Sequence, residues 1–270
     1  MMKGKGDIDI QHPEVWELLV SVGDGQVDYI LYTPTVTNSL VTGQVKLADS
    51  SLQALEDAVY DTPELLGEYK RVRVVIRSRH FVLLPMDATD DDCAMLLRQA
   101  FPADDGDVAV CPLPGDGVKV VYMMPRAMQA FLGRTFNYPQ VYHHLVPLCE
   151  YFKGQERGDG IARMFLHMSG DTMDMAIYRN GALLCANSYP YSNAQDATYF
   201  ALGAWRAHGL DQLTDELLLS GDGDLHAAVT PLLREYVKHV MPTVYPAAAM
   251  RLGRNAMRAP LELIQLALCE

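Results

Sequence analysis

The sequence lacks long apolar runs, has few cysteines and is short of basic residues. No apolar stretch approaches the roughly 20 residues of a membrane-spanning helix, and we expect no signal peptide because the opening residues lack its apolar segment. The five cysteines are scattered without a C-x-x-C pair, which argues against a disulfide framework or structural zinc and favours a reducing cytoplasm. With 22 basic and 34 acidic residues, the net charge of -12 disfavours nucleic-acid binding.

The composition is that of a globular protein with enough apolar material for a sizeable core. The chain has 270 residues, 49% hydrophobic and 21% charged, so it can form one large domain or two of middling size. A polar, glycine-rich stretch at 153–160 (KGQERGDG) is the best candidate for a boundary. We therefore predict a flexible N-terminal arm over residues 1–13, a first half over 14–152 and a second half over 153–270.

Residues 163–191 predict three consecutive strands. Their apolar runs are separated by two tight turns, at 169–172 (SGDT) and 179–181 (RNG). An Asn-Gly pair between apolar runs is a strong hairpin signal, because both central residues of that turn need a positive φ. The sequence therefore predicts an antiparallel meander, followed by a helix that Asn193 caps.

The beginning of the chain repeats this order. A turn at 23–26 (GDGQ) separates the first two of three predicted strands, and a helix follows from residue 52. The three strands are predicted at 15–22, 27–32 and 39–47. We therefore predict that the chain contains two related meanders, each leading one half.

A third glycine-containing loop follows later in the chain. It lies between a predicted buried strand at 216–219 and a predicted helix at 225–238, and helix starts bind anions through free N–H groups. Glycines and aspartates in single turns mostly serve the turn itself. Two echoing hairpins and one strand–glycine–helix loop form a more specific pattern. The closing stretch 261–268 is apolar, and its period does not distinguish a strand from a helix.

These segments resemble those of a known superfamily. Residues 167–181 (HMSGDTMDMAIYRNG) are similar to the second phosphate loop of the actin, sugar kinase and heat-shock chaperone superfamily, and 217–233 (LLLSGDGDLHAAVTPLL) to its adenosine loop. More closely, the chain resembles an uncharacterised bacterial domain family with an actin-like fold, through 121–136, 185–205, 217–237 and 260–270. The resemblance implies an α/β actin-like ATPase fold of two ribonuclease-H-like halves, each a mixed sheet flanked by helices, as in bacterial pilus and secretion scaffold proteins.

Within this resemblance, two carboxylates are replaced. In the ATPases of the superfamily, an aspartate before each phosphate hairpin holds magnesium and its water, and a glycine follows. The aspartate positions hold Ser21 and His167 here, and the glycine position keeps Gly23 in the first loop but has Ser169 in the second. Magnesium prefers carboxylate oxygens, so neutral Ser and His are poor substitutes. The resemblance thus implies degenerate ATPase motifs.

Acidic side chains add to these departures. Asp24 and Asp171 lie at the tips of the predicted hairpins and Asp222 in the third loop, where a phosphate would be bound. A like charge at about 4 Å costs on the order of 1 kcal/mol in water and about 4 kcal/mol at a surface dielectric of about 20. We predict vestigial nucleotide loops that comprise Ser21, Gly23, Asp24, Gly25, His167, Ser169, Gly170, Asp171, Thr172, Gly221, Asp222 and Gly223.

Other candidate sites are weaker. The pair His143-His144 has no third ligand nearby in sequence, and zinc takes three or four. His167 on an apolar strand is more typical of a satisfied core or cleft histidine than of a general base. Ser188 and Ser220 lack the G-x-S-x-G setting of a hydrolase nucleophile. We therefore assign no catalytic and no metal-ligating residue.

The sequence favours a catalytically inactive actin-like scaffold or adaptor, a cytoplasmic pseudo-ATPase without a cofactor. We expect an unidentified protein partner rather than nucleic acid or a membrane. One alternative is a working ATPase or small-molecule kinase with rearranged metal ligands, which would use ATP and magnesium. Another is a binder of a non-phosphate ligand in the cleft between the halves. The fold alone does not choose among these functions.

Overall fold

A computed structural model describes residues 10, 12–23 and 25–269 of the chain. The strands are β1 (Glu17–Val22), β2 (Gln26–Tyr32), β3 (Val41–Lys46), β4 (Arg71–Ile76), β5 (Phe81–Pro85), β6 (Asp107–Leu113), β7 (Val118–Met124), β8 (Gln140–His143), β9 (Ala162–Ser169), β10 (Thr172–Arg179), β11 (Ala182–Pro190), β12 (Glu216–Gly221) and β13 (His239–Pro242). The α-helices are α1 (Leu52–Tyr60), α2 (Asp90–Ala100), α3 (Arg126–Thr135), α4 (Leu145–Lys153), α5 (Ala194–Ala207), α6 (Gly223–Arg234) and α7 (Leu261–Leu268).

The two large sheets share one strand order. The first runs β3-β2-β1-β4-β8 and the second runs β11-β10-β9-β12-β13. In each sheet the central strand pairs antiparallel with the next strand of its meander and parallel with a later strand, β1 with β4 and β9 with β12. This repetition confirms the predicted α/β class, with two mixed sheets flanked by helices. The residue at which the chain divides into halves stays a prediction.

The predicted hairpin turns form as their residues require. Asn180 and Gly181 have φ angles of 54° and 74°, and they join β10 to β11 through the pair Arg179 and Ala182. Gly170 has a φ of 59° and joins β9 to β10 together with Asp171. Positive φ at these positions matches the right-handed twist of the flanking strands, which is why glycine and asparagine occupy them.

Local sequence signals also set the helix starts. The side chains of Ser51 and Asn193 accept hydrogen bonds from backbone N–H groups at the starts of α1 and α5. Thr89 and Asp92 form a reciprocal capping box at the start of α2. Helix α2 covers a smaller sheet, of order β5-β7-β6, which is inserted between β4 and β8.

Helices α4 and α7 connect the two large sheets. Phe152 of α4 stacks on Phe165 of β9 with ring centroids 4.8 Å apart, and α4 also contacts α7. Helix α7 packs on the first sheet, where Leu263 and Ile264 are buried with Leu19 in one apolar cluster. Burial of each such side chain contributes roughly 1.5–3 kcal/mol. The closing stretch is therefore a helix, and it lies on the first sheet.

Two further elements differ from the sequence prediction. Val15, predicted to begin the first strand, lies in a 3-10 turn, Pro13–Val15. The helix predicted at 225–238 ends at Arg234, and His239–Pro242 forms β13, which pairs parallel with β12. This short strand has no alternating pattern of its own, so its conformation depends on the neighbouring strand. In the described part of the chain, no helix has the length and apolar character needed to cross a bilayer.

Candidate functional site

The ends of the two central strands meet at the start of α7. Ser21 near the end of β1 donates from Oγ to Glu262 Oε1 at 3.2 Å. His167 near the end of β9 places its Nε2 3.9 Å from Glu262 Oε2. Ser220, which lies beside His167 in the register of β12 and β9, contacts His167 Nδ1 through its Oγ at 3.1 Å. The structure thus brings the ends of β1, β9 and β12 to one site.

Ser21 and His167 are both buried in this site. Each occupies the position at which the superfamily resemblance implies a metal-binding aspartate, and each is engaged with a protein group instead. No group of three or more His, Cys, Asp or Glu side chains suited to holding a metal ion occurs among the described residues. The site residues present therefore do not fit the magnesium ion that the fold family implies.

The third loop is held by its backbone. Gly221 has a φ of 98°, and a Cβ there would clash with the carbonyl oxygen of Met168. Asp222 donates its N–H to that same carbonyl at 2.9 Å, and its side chain accepts from the N–H of Asp224 to cap α6. Gly223 is the first residue of α6. These predicted nucleotide-loop residues therefore have a clear role in joining β12, β9 and α6.

The second hairpin turn carries a paired charge. The Asp171 side chain is 78% exposed and lies 3.3 Å from Nη1 of Arg79, which also donates to Thr172 Oγ1 at 3.4 Å. The predicted repulsion of phosphate by Asp171 is therefore offset by a neighbouring guanidinium. Asp24, predicted at the tip of the first hairpin, lies outside the described residues.

Arg77 joins the two hairpin regions and was not among the predicted site residues. Arg77 directly follows β4, and its backbone N–H donates to Val22 O at 2.9 Å. The aliphatic carbons of its side chain lie close to Gly23 in the first turn. Its Nη1 donates to Ser169 Oγ at 2.7 Å and to Glu262 Oε1 at 3.4 Å. Arg77 thus lies beside the first turn through its aliphatic carbons, and its guanidinium joins the second turn to α7.

A second carboxylate lies on the other side of this guanidinium. Asp174 of β10 is fully buried, with its Oδ2 4.0 Å from Arg77 Nη2. Its Oδ1 accepts from His144 Nε2 at 2.9 Å and from Ser188 Oγ at 2.5 Å. Because Ser188 donates its only hydroxyl proton to Asp174, the imidazole does not stand between hydroxyl and carboxylate, and the three residues do not form a nucleophilic triad.

Burial and charge act together on these groups. Burial alone would raise the pKa of Asp174, but His144 and Arg77 hold that pKa well below its usual value. Burial alone would lower the pKa of Arg77, but the carboxylates of Glu262 and Asp174 raise it. Burial lowers the pKa of His167 against the opposing effect of Glu262. The site is therefore an internally paired charge cluster with a neutral histidine at neutral pH.

Two cavities flank the cluster. A cavity of about 430 Å³ lies between the hairpin turns, lined by Gly23, Gly25, Arg77, Arg79 and Gly170 among others. A larger cavity of about 680 Å³ lies on the α7 side, and residues of β2, β3, the β12–α6 loop and the start of α7 line it. Arg77 lines the first cavity, whereas Glu262 lines the second.

Arg77 and Glu262, which the sequence analysis did not predict as site residues, show a weak sequence signal. Arg77 directly follows the apolar run of β4, and Glu262 is the one acid inside the apolar closing stretch 260–269. A charged residue in an apolar stretch is rarely buried without a partner. The partners are 185 residues apart in sequence, so no local pattern connects them.

A family model described as protein of unknown function (DUF3822) matches residues 5–240 of the chain. No curated protein is significantly similar to it in sequence. Among solved structures, a Bacteroides thetaiotaomicron VPI-5482 protein with actin-like ATPase fold and unknown function is 22% identical, with a TM-score of 0.80 over 98% of this chain and 100% of that chain. The PilM-PilN type IV pilus biogenesis complex contains a chain 14% identical, with a TM-score of 0.51 over 95% and 98% of the two chains. These likenesses confirm the actin-like fold.

Proposed function

The chain belongs to the DUF3822 family of proteins of unknown function, and we propose that it is an actin-like protein that does not hydrolyse ATP and serves as a scaffold or adaptor. The observation that carries this proposal is the position of Arg77. Arg77 lies between the two hairpin turns, where the fold family holds phosphates and their metal ion, and its guanidinium donates to Ser169 of the second turn. A cation of the protein itself, paired with Glu262 and Asp174, takes the place of the bound metal.

The loss of metal ligands supports the same proposal. Ser21 and His167 supply a hydroxyl and an imidazole where hydrolysis would need carboxylates for magnesium and its water. Ser21 Oγ is committed to Glu262 and His167 Nδ1 to Ser220. An incoming metal would have to break these buried contacts, and it would approach the positive charge of Arg77.

A protein partner follows from analogy and from charge. PilM, which shares the fold, is found in a pilus biogenesis complex with PilN. The present chain has a net charge of -12, which favours a basic or mixed protein surface and disfavours nucleic acid. A cytoplasmic location remains part of this proposal.

Affinity purification of the tagged protein from its source cells tests the partner. We expect a protein recovered in a fixed ratio whose binding weakens as salt is raised, because charge pairs at an exposed interface are screened. Retention on DNA or RNA at physiological salt, with no protein partner, contradicts the proposal.

One observation favours the alternative of a working ATPase or small-molecule kinase. The cavity of about 430 Å³ between the hairpin turns is lined by two guanidiniums, Arg77 and Arg79, and guanidinium is a good ligand for phosphate. In that case Asp171 at the mouth of the cavity is the acid placed to hold a metal.

Release of inorganic phosphate from ATP, with magnesium present, separates the two functions. We expect the wild-type protein and Asp171→Ala to release phosphate at the same background rate. A matched acid, Asp196 at the start of α5, supplies the control variant Asp196→Ala. Turnover that is lost in Asp171→Ala and kept in Asp196→Ala establishes the enzyme and overturns the scaffold proposal.

A further inference from the structure

The larger cavity beside α7 is an unassigned space with an acidic wall. It measures about 680 Å³, within the range of roughly 300–1,000 Å³ that is usual for small-molecule sites. Asp28, Asp222 and Glu262 bring carboxyl groups to its lining, and Arg258 brings the one guanidinium among the described lining residues. The lining charge is thus opposite to what a phosphate ligand needs.

A buried carboxylate oxygen at this wall lacks a hydrogen-bond partner. Glu262 is 1% exposed, and its Oε2 has no hydrogen-bond partner among the described residues. His167 Nε2 lies 3.9 Å from this oxygen, which is too long for a hydrogen bond. A donor to Glu262 Oε2 is therefore missing.

Asp28 is a buried carboxyl group of this wall without an ion-pair partner among the described residues. Arg77 pairs with both Asp174 and Glu262. Asp28 is 5% exposed, its two oxygens accept from the neutral amides of Gln26 and Gln44, and burial raises its pKa. Because a buried carboxylate is stabilised by an opposite charge, a cationic group in the cavity would favour the ionised form of Asp28.

We propose that this cavity binds a small molecule carrying an ammonium or guanidinium group, which donates to Glu262 Oε2. An ammonium carries three donors and no acceptor, and a guanidinium five donors and no acceptor, so either satisfies this oxygen and supplies the opposite charge. This binding activity goes beyond a scaffold role and does not depend on it.

Calorimetric titration with 1,4-diaminobutane and with agmatine tests the site directly. 1,4-Butanediol is the matched neutral probe, and pyrophosphate is the anionic one. We expect saturable heat from at least one amine at concentrations up to about 10 mM, and none from the diol or pyrophosphate. No saturable heat from either amine, or equal binding of the diol, overturns the proposal.

Variants then locate the site. Glu262→Gln removes the charge and should weaken amine binding at least tenfold. Asp224 is an exposed residue of α6 outside the cavity lining, so Asp224→Asn should leave binding unchanged. Because Glu262 also pairs with Arg77, Thr42→Trp is the second variant: Thr42 lines the cavity from the edge strand β3, and the larger side chain should block it. Wild-type affinity in Thr42→Trp contradicts the assignment.

Acid pH supplies an independent readout. A proton gained by His167 places a positive charge 3.9 Å from Glu262 Oε2, so it competes with a cationic ligand. The charged groups that face His167 are Glu262 from α7, Asp174 from β10, Arg77 after β4 and His144 before α4. Burial, the largest effect, lowers the pKa of His167 below its ordinary value. Amine affinity should therefore be constant near neutral pH and fall once the pH drops below that lowered pKa, and affinity that rises on acidification contradicts the proposed site.

Discussion

Replacing Arg77 with methionine removes the guanidinium that joins the second hairpin turn to α7. Its two carboxylate partners, Glu262 and Asp174, are 1% and 0% exposed, so neither can be solvated in place of the lost pair. Removal of one partner of a buried ion pair costs roughly 3–5 kcal/mol. Each kcal/mol corresponds to about 2–4 °C in a chain of this size, so we expect Tm to fall by about 6–20 °C.

This loss should depend on pH. Burial alone would raise the pKa of Asp174, but His144 and Arg77 hold it below the usual value. A carboxyl group whose pKa is lowered by folding stabilises the protein above its unfolded pKa of about 3.9, and that stabilisation disappears as the pH falls through the folded pKa. Without Arg77 this contribution is smaller. The difference between wild type and Arg77→Met should therefore be largest near neutral pH and shrink as the pH falls to about 3.

Thermal denaturation followed by circular dichroism measures the effect across pH. Arg126→Met is the matched control, because Arg126 is 77% exposed and pairs with Asp107 at 2.8 Å on the surface. An exposed pair contributes little to stability, so the control should melt close to wild type at every pH. An Arg77→Met variant that melts within about 2 °C of wild type and of the control refutes the reasoning.

Two backbone predictions concern the β12–α6 loop. Gly221→Ala should destabilise the folded protein by about 1–3 kcal/mol from the positive φ of this position alone. Gly203→Ala, in α5 with open space around it, should instead stabilise the folded protein by about 0.5–1 kcal/mol. A change of the same sign in both variants contradicts this prediction. Asp222→Ala should cost about 1 kcal/mol by removing the cap of α6, while Asp222→Asn should retain most of the stability. An equal loss of stability in the two Asp222 variants would contradict the assignment of the stabilisation to the capping oxygen, because asparagine retains that oxygen.

Much of the fold was predictable because its signals are local. The Asn180-Gly181 pair requires a turn with positive φ at both residues, and both angles are positive. The capping residues Ser51 and Asn193 likewise act within a few residues of their own helices. The repeated order of turn, strand and helix then sufficed to predict two sheets of the same architecture.

The rest depends on contacts between distant segments. Strand β13 forms against β12, and its four residues show no pattern of their own. The position of α7 on the first sheet, and with it the meeting of Arg77 and Glu262 across 185 residues, depends on how the chain returns to its beginning. Sequence reasoning therefore could not predict the cation that lies beside Ser169 and Glu262, and the assignment of the loops as vestigial nucleotide loops stays a prediction.

Isothermal titration calorimetry of the wild-type protein with ATP, with and without magnesium, tests the central claim most directly. Because Arg77 is already paired with Glu262 and Asp174 and no carboxylate stands at Ser21 or His167, we predict no saturable heat at ATP concentrations below about 1 mM. Saturable binding with a Kd in the micromolar range, strengthened by magnesium, would contradict the claim and favour a working nucleotide site.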